Sequence, residues 1–172
     1  METYYSDNEV GQWLQLPCEE EAIQQLLMNI GCIDAHGKYL YDYEILDVRD
    51  TTNLDLASII CGQYTQLQSL NNFAEIWQDD DLDRDKLIEI AAADDIFNIN
   101  QLVELAENLD EYICIEAFNE QELGEILAEE NGIFERCPEE LLDYIDYEAY
   151  GRDATINYSM RKTQNGYFYK LW

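Results

Sequence analysis

The chain has 172 residues, 38 Asp and Glu against 9 Lys and Arg, a formal net charge of −29, and 47% hydrophobic residues. Charge of this size with few apolar residues gives a disordered chain, but here the apolar content is high enough to offset the entropy of ordering. The charge therefore sits on a folded body, and nucleic acid and anionic membrane surfaces are excluded as direct ligands.

Self-repulsion among fixed like charges works against a compact state. B-form DNA carries one negative charge per about 1.7 Å of duplex axis, so this charge corresponds to roughly 50 Å, or about fifteen base pairs. The natural partner is a protein built to hold nucleic acid. No basic-then-apolar leader stands at Met1 to Leu16 and no run of about eighteen apolar residues occurs, so a cytoplasmic protein is expected. Cys18, Cys32, Cys61, Cys114 and Cys137 are scattered without a C-x-x-C pair. They are expected to be reduced, mostly buried thiols, with neither a disulfide framework nor a zinc site.

Along the chain, Gly11 to Pro17 alternates Trp13, Leu14 and Leu16 with glutamines and predicts a short strand ending at proline. Glu19, Glu20 and Glu21 open a helix with Ile23, Leu26, Leu27 and Ile30 on one face and Gly31 as its stop. His36-Gly37 is a turn. Tyr39 to Val48 then predicts a strand carrying Tyr39, Tyr41, Tyr43 and Ile45 on one side. From Asn53 to about Asn108 four helical segments follow: Leu54 to Ile60, Leu67 to Trp77, Leu82 to Ala91, and Leu102 to Ala106 after Asn98 or Asn100 as N-cap, with Gly62 the one interruption.

Tyr112 to Phe118 is strand-like, and Asn119 with Glu122 three residues on has the form of a capping box opening a helix through Asn131. Leu123, Ile126 and Leu127 are its apolar stripe and Gly132 its end. Pro138 suits the first turn of the next helix, with Glu139 and Glu140 at the positive end of its dipole. The chain closes on an expected hairpin, Asn157 to Lys162 and Tyr167 to Trp172, around Gln164-Asn165-Gly166. The fold class is α+β, with an N-terminal α+β domain over residues 1–50, a helical middle domain over 51–109 and a C-terminal α+β domain over 110–172.

The negative charge is concentrated: Asp79 to Glu148 holds 24 acids and only Arg84, Lys86 and Arg136 as bases. The helix from Asn119 to Glu130 would span about 18 Å and carry one carboxylate per roughly 3.6 Å, close to the phosphate spacing of one DNA strand. A solvated helix face of ordinary composition would hold Lys at i+4, and this one has almost none. Candidate partner-binding carboxylates are Asp79, Asp80, Asp81, Asp83 and Asp85, then Glu120, Glu122, Glu125, Glu129 and Glu130, then Glu139, Glu140, Asp143 and Asp146.

A calcium loop starting at Asp79 fails where it is diagnostic, with Arg84 in place of the required Gly and Ile90 in place of the bidentate Glu. Asp81 or Asp83 reads instead as a helix cap. No metal, cofactor or catalytic residue is predicted: His36 is the sole histidine, and no G-x-S-x-G, Walker A or H-E-x-x-H pattern occurs.

Tyrosine is the other enrichment, with 13 in the chain. Tyr144 and Tyr147, with Leu141, would lie on one helical face. Arg136, Arg152, Arg161, Lys162 and Lys170 make the last region the least acidic, as a dimer of two polyanions requires. Tyr144, Tyr147, Tyr150 and Arg152 are the expected dimer contacts.

The run Leu142-Asp-Tyr-Ile-Asp-Tyr-Glu-Ala-Tyr-Gly-Arg-Asp153, followed by the Asn-Gly hairpin and an aromatic terminus, resembles the C-terminal signature of the ArdA antirestriction family. Glu9-Val-Gly-Gln-Trp13 with Leu16-Pro17, and Tyr41-Asp-Tyr-Glu44, are similar to its N-terminal strands. The resemblance implies an elongated protein of three small domains that dimerises through the last. It also implies a mimic of bent B-form DNA that occupies the DNA groove of type I restriction-modification enzymes, carried by phages, plasmids or conjugative transposons. The chain departs from the family at Met1 to Asn8, shorter than the usual first strand, and at Asn53 to Thr65. Two alternatives remain open: inhibition of another DNA-binding defence system such as a CRISPR effector, or acidity that serves only solubility.

Overall fold

The computed structural model describes residues 3–6, 9–49, 52–60, 67–94 and 96–171. The predicted positions Cys61, Gly62, Thr65 and Trp172 lie outside them. The architecture is α+β, and the chain divides into two compact units, Met1–Arg84 with Ile96–Glu107, and Asp85–Asp95 with Asn108–Trp172. Among the described residues no helix is long and apolar enough to cross a membrane.

The first unit opens on an antiparallel pair, β1 (Thr3–Ser6) with β2 (Glu9–Gln12), in the register Thr3↔Gln12 to Ser6↔Glu9. The expected strand thus lies earlier than Trp13 to Leu16, which have no regular structure, and a first strand does form within Met1 to Asn8. Helix α1 (Glu20–Asn29) buries Ile23, Leu26 and Leu27 as the period requires, and these pack with Cys32 and Ile33 into one core cluster. Gly31 follows at φ 81°, a left-handed conformation that favours glycine. In the turn at His36 the Asp34 carboxylate accepts the backbone N–H of His36 at 2.8 Å and of Lys38 at 3.0 Å.

The strand predicted over Tyr39 to Val48 is absent. Tyr39 makes an isolated bridge to Ile33, and no strand follows it. Tyr39 to Asp42 are all exposed, while Tyr43, Ile45 and Val48 are partly covered, so exposure alternates only from Tyr43 to Leu46. Tyr43 packs against the α1 cluster and its hydroxyl accepts the Leu67 N–H at 2.9 Å.

Helices α2 (Leu56–Ile60), α3 (Leu67–Trp77), α4 (Arg84–Ala93) and α5 (Ile99–Glu107) match the four predicted segments. Asn98 caps α5, its side chain accepting the Gln101 N–H at 3.1 Å. Helix α3 packs on α5, with Leu70, Phe73, Leu102 and Leu105 all buried.

Asn71, 1% exposed, joins α3 to the loop before α1. Its Oδ1 accepts the Cys18 N–H at 2.8 Å, and its Nδ2 donates to the Cys18 carbonyl at 3.1 Å and to Glu75 at 2.7 Å. Asn71→Ala strands both backbone groups of Cys18 and is expected to cost about 2–3 kcal/mol, read as a lower urea midpoint. An unchanged midpoint would show that the contact is dispensable.

In the second unit β3 (Tyr112–Ile115), β4 (Arg161–Lys162) and β5 (Tyr167–Lys170) form an antiparallel sheet in the order β3-β5-β4. The predicted hairpin is shorter than expected: Asn157 is still helical, and the loop runs from Thr163 to Gly166. Gly166 is required there for space, since a Cβ would stand 2.0 Å from the Ile115 carbonyl oxygen.

Helix α6 (Glu120–Glu130) buries Leu123 and Leu127. The short α7 (Ile133–Arg136) and α8 (Glu139–Leu142) follow, then α9 (Tyr147–Asn157). The core joins Ile115, Tyr167, Leu123, Leu127 and Ala154. Phe168, on the opposite sheet face, is also buried and lies against Tyr112. Helix α4 is fastened to the hairpin: the Glu89 carboxylate accepts from the Thr163 hydroxyl and from the Asn165 N–H at 3.2 Å, and Arg161 pairs with Asp94.

Helix α6 crosses α9 with their backbones touching. A Cβ on Gly124 would lie 1.9 Å from the Tyr147 carbonyl oxygen, and one on Gly151 the same distance from the Glu120 carbonyl oxygen. Ala128 and Ala154 are both buried beside them.

Candidate partner-binding surface

Asp79, Asp80, Asp81 and Asp83 occupy the turn between α3 and α4, and Asp85 is in the first turn of α4; all five are exposed. The turn is knit by its own backbone, with Gln78 N–H on the Glu75 carbonyl at 3.1 Å and Asp79 N–H on the Ile76 carbonyl at 3.0 Å. The Asp79 carboxylate accepts the Asp81 N–H at 3.0 Å.

On α6 the five glutamates do not share one face. At about 100° per residue Glu122, Glu125 and Glu129 fall within an arc of about 60°, opposite the buried Leu123, Gly124, Leu127 and Ala128. Glu130 lies outside that arc. Glu120 lines an open groove with Asn119, Gln121, Glu148, Thr155 and Lys162. The capping box forms with a shift: Asn119 Oδ1 accepts the Glu122 N–H at 2.9 Å, but Glu122 reaches back to the Phe118 N–H at 2.8 Å, one residue before the cap.

Glu139, Glu140 and Asp143 are exposed on and after α8. Asp146 caps α9, its carboxylate accepting the Ala149 N–H at 2.9 Å. Acids thus stand in the first turns of α1, α4, α6, α8 and α9, while among the described residues only α7 carries a base in its last turn. This places negative charge where the helix dipole is positive.

The predicted face of Leu141, Tyr144 and Tyr147 does not exist, because α8 ends at Leu142 and α9 begins at Tyr147. Tyr144 is 83% exposed. Tyr147 stacks edge-on against Phe134 at 6.0 Å, and its hydroxyl donates to the Leu142 carbonyl at 3.4 Å. Desolvation, with Cys137, Glu125 and Asp143 nearby, raises the Tyr147 pKa. Tyr150 packs on the core and accepts from Asn131 Nδ2 at 3.2 Å. Of the four residues expected at a dimer contact, Tyr144 and Arg152 are the exposed ones.

The cysteines depart from expectation as well. Cys32 is buried, Cys18 and Cys137 are half-buried, and Cys114 is exposed on β3 because its neighbour Ile115 takes the core-facing position. Burial raises the Cys18 and Cys32 thiols, with Glu19 and Glu75 adding to the first and Asp42 to the second. Among the described residues no group of three or more His, Cys, Asp and Glu is arranged to hold a metal ion.

In the sequence Arg84 counts only as a base and as a mismatch to a calcium loop, and Gly124 and Gly151 carry no assigned role. An isolated Gly inside a helical pattern is the signal that marks the last two, since a packing reason usually lies behind it.

Fold and surface together define a polyanionic α+β protein whose carboxylates lie on its outside. The family described as Antirestriction protein (ArdA) matches residues 1–169, and the chain belongs to that family. Membership implies antirestriction activity against type I restriction enzymes, exerted by an inhibitor rather than an enzyme. Comparison with the curated proteins gives no match.

Proposed function

We propose that the protein inhibits type I restriction-modification enzymes by occupying the DNA groove of their methyltransferase and specificity subunits, its carboxylates standing where phosphates would lie. The observation that carries this reading is exposure: none of the fourteen candidate carboxylates, from Asp79 to Asp146, is buried. Apart from local backbone contacts such as the Asp146 cap and the Glu122 bond to the Phe118 N–H, these charges lie outside the core and repel one another, so their main use lies in an external partner. The protein acts in the host bacterial cytoplasm, as a homodimer with Tyr144 and Arg152 on the contact surface.

A competition titration tests the mechanism, with labelled duplex DNA bound to a type I methyltransferase and displaced by the protein. Displacement is expected to be stoichiometric and to weaken at least about tenfold between roughly 50 and 200 mM salt, because many screened contacts act together. A flat salt response would falsify groove mimicry. Displacement of DNA from a CRISPR effector but not from the methyltransferase would assign the protein to that other defence system.

A further inference from the structure

Arg84 stands among Asp79, Asp80, Asp81, Asp83 and Asp85, so pairing between guanidinium and carboxylate is the ordinary expectation. The structure shows a different use. Nε and Nη2 of Arg84 both donate to the Trp77 carbonyl, at 3.0 and 2.8 Å, and Nη2 also donates to the Asp79 carbonyl at 2.8 Å. The guanidinium carbon lies 5.8 Å from the Trp77 ring centroid. Among the described residues Arg84 forms no ion pair with any of the surrounding aspartates.

Trp77 is the last residue of α3. Its carbonyl belongs to the group that a helix leaves without an intrahelical partner, at the negative end of the dipole. The planar guanidinium fork holds that carbonyl and the Asp79 carbonyl at once, a geometry the lysine ammonium does not reproduce. The Asp79 carbonyl also accepts the Leu82 N–H at 3.3 Å, so the same oxygen closes the turn.

We propose that Arg84 is the positioning residue of the acidic turn: it spends its guanidinium on main-chain carbonyls, fixing the path from Trp77 to Arg84 and with it the placement of the aspartates that the turn presents to the partner. The inference rests on the inhibitory reading above. It assigns to one of the few bases in the acidic region a role opposite in sign to the one its charge alone suggests. On charge alone, removing a base from a polyanion strengthens binding to a basic groove. With Arg84 as a clamp, removing it frees the turn, and the partner must then order it on binding.

The test compares the full-length wild type, Arg84→Gln and Arg84→Lys in binding to a type I methyltransferase, with Arg136→Gln as a charge-matched control. Arg84→Gln is expected to bind about 5- to 10-fold more weakly and Arg136→Gln as well as wild type or better. Arg84→Lys, which keeps the charge, is expected to lose several-fold through faster dissociation. Amide exchange supplies a readout independent of the enzyme: the Asp79 and Leu82 amides should exchange at least about tenfold faster in both Arg84 variants, with circular dichroism confirming that the fold is intact. Arg84→Gln binding as tightly as wild type, or unchanged exchange in the turn, overturns the assignment. If the wild type itself fails to bind the methyltransferase, the inhibitory reading fails, and exchange alone still decides whether Arg84 clamps the turn.

Discussion

Gly151→Ala is expected to destabilise the second unit by about 3 kcal/mol or more, enough to unfold a large fraction of a marginally stable domain. The added methyl would stand 1.9 Å from the Glu120 carbonyl oxygen and 2.9 Å from the Gly124 nitrogen, and both obstacles are backbone. A rotamer change cannot relieve it. Helices α6 and α9 would have to separate by about 1.5 Å, opening the packing around Leu123, Leu127 and Ala154 in a core that has no slack. Alanine's better helix propensity returns only about 1 kcal/mol. Gly124→Ala meets the mirror-image obstacle at the Tyr147 carbonyl, and the double variant should cost less than the sum, since helices parted once admit the second methyl. Chemical denaturation followed by near-ultraviolet circular dichroism reads the effect. A Gly151→Ala midpoint equal to wild type would mean that the helices do not pack at this distance in solution.

The second large effect is collective. Replacing Glu120, Glu122, Glu125, Glu129 and Glu130 together by Gln is expected to weaken displacement of DNA by about 2 kcal/mol, or roughly 30-fold. Each single replacement should change affinity less than about twofold, because an exposed charge contact contributes about 0.5 kcal/mol at most. Gln is chosen over Ala because a side-chain oxygen at position 122 must still accept the Phe118 N–H. Glu122, Glu125 and Glu129 share the face opposite the buried Leu123 and Leu127, so the triple replacement of these should carry most of the loss. A single Gln that costs tenfold, or a quintuple variant that binds like wild type, would contradict an inhibitor acting through many weak contacts.

Much of the fold was legible because apolar spacing and caps agree locally. The helices starting at Glu20, Leu67, Ile99 and Glu120 follow their stripes, and Asn98 and Asn119 cap where the pattern places them. Tyr39 to Val48 misled because its alternating aromatics suggest one covered side, whereas Tyr39 and Tyr41 stay exposed and only Tyr43 and Ile45 are partly covered, with no strand formed. At the hairpin the Asn-Gly pair was read for its turn propensity, but Gly166 is needed because the Ile115 carbonyl approaches it, a tertiary fact that no local signal carries. The same applies to Glu89, counted in sequence as one more acid and found bonding to Thr163 and Asn165 of the hairpin loop. The candidate surface was legible as residue types and not as placement. Composition identified the carboxylates, whereas the division of the α6 glutamates between faces and the use of Arg84 on carbonyls depend on packing.

The asymmetry of the helix ends bears on how the molecule answers its solvent. With acids gathered in first turns and a cation in the last turn of only one described helix, its internal electrostatics are dominated by crowding of like charge. Dissolved ions relieve that crowding and, by the same screening, loosen the grip on a basic cleft. Brine therefore toughens this protein while disarming it, and a buffer chosen to keep it soluble at high concentration is the one in which its inhibitory strength is most easily overlooked.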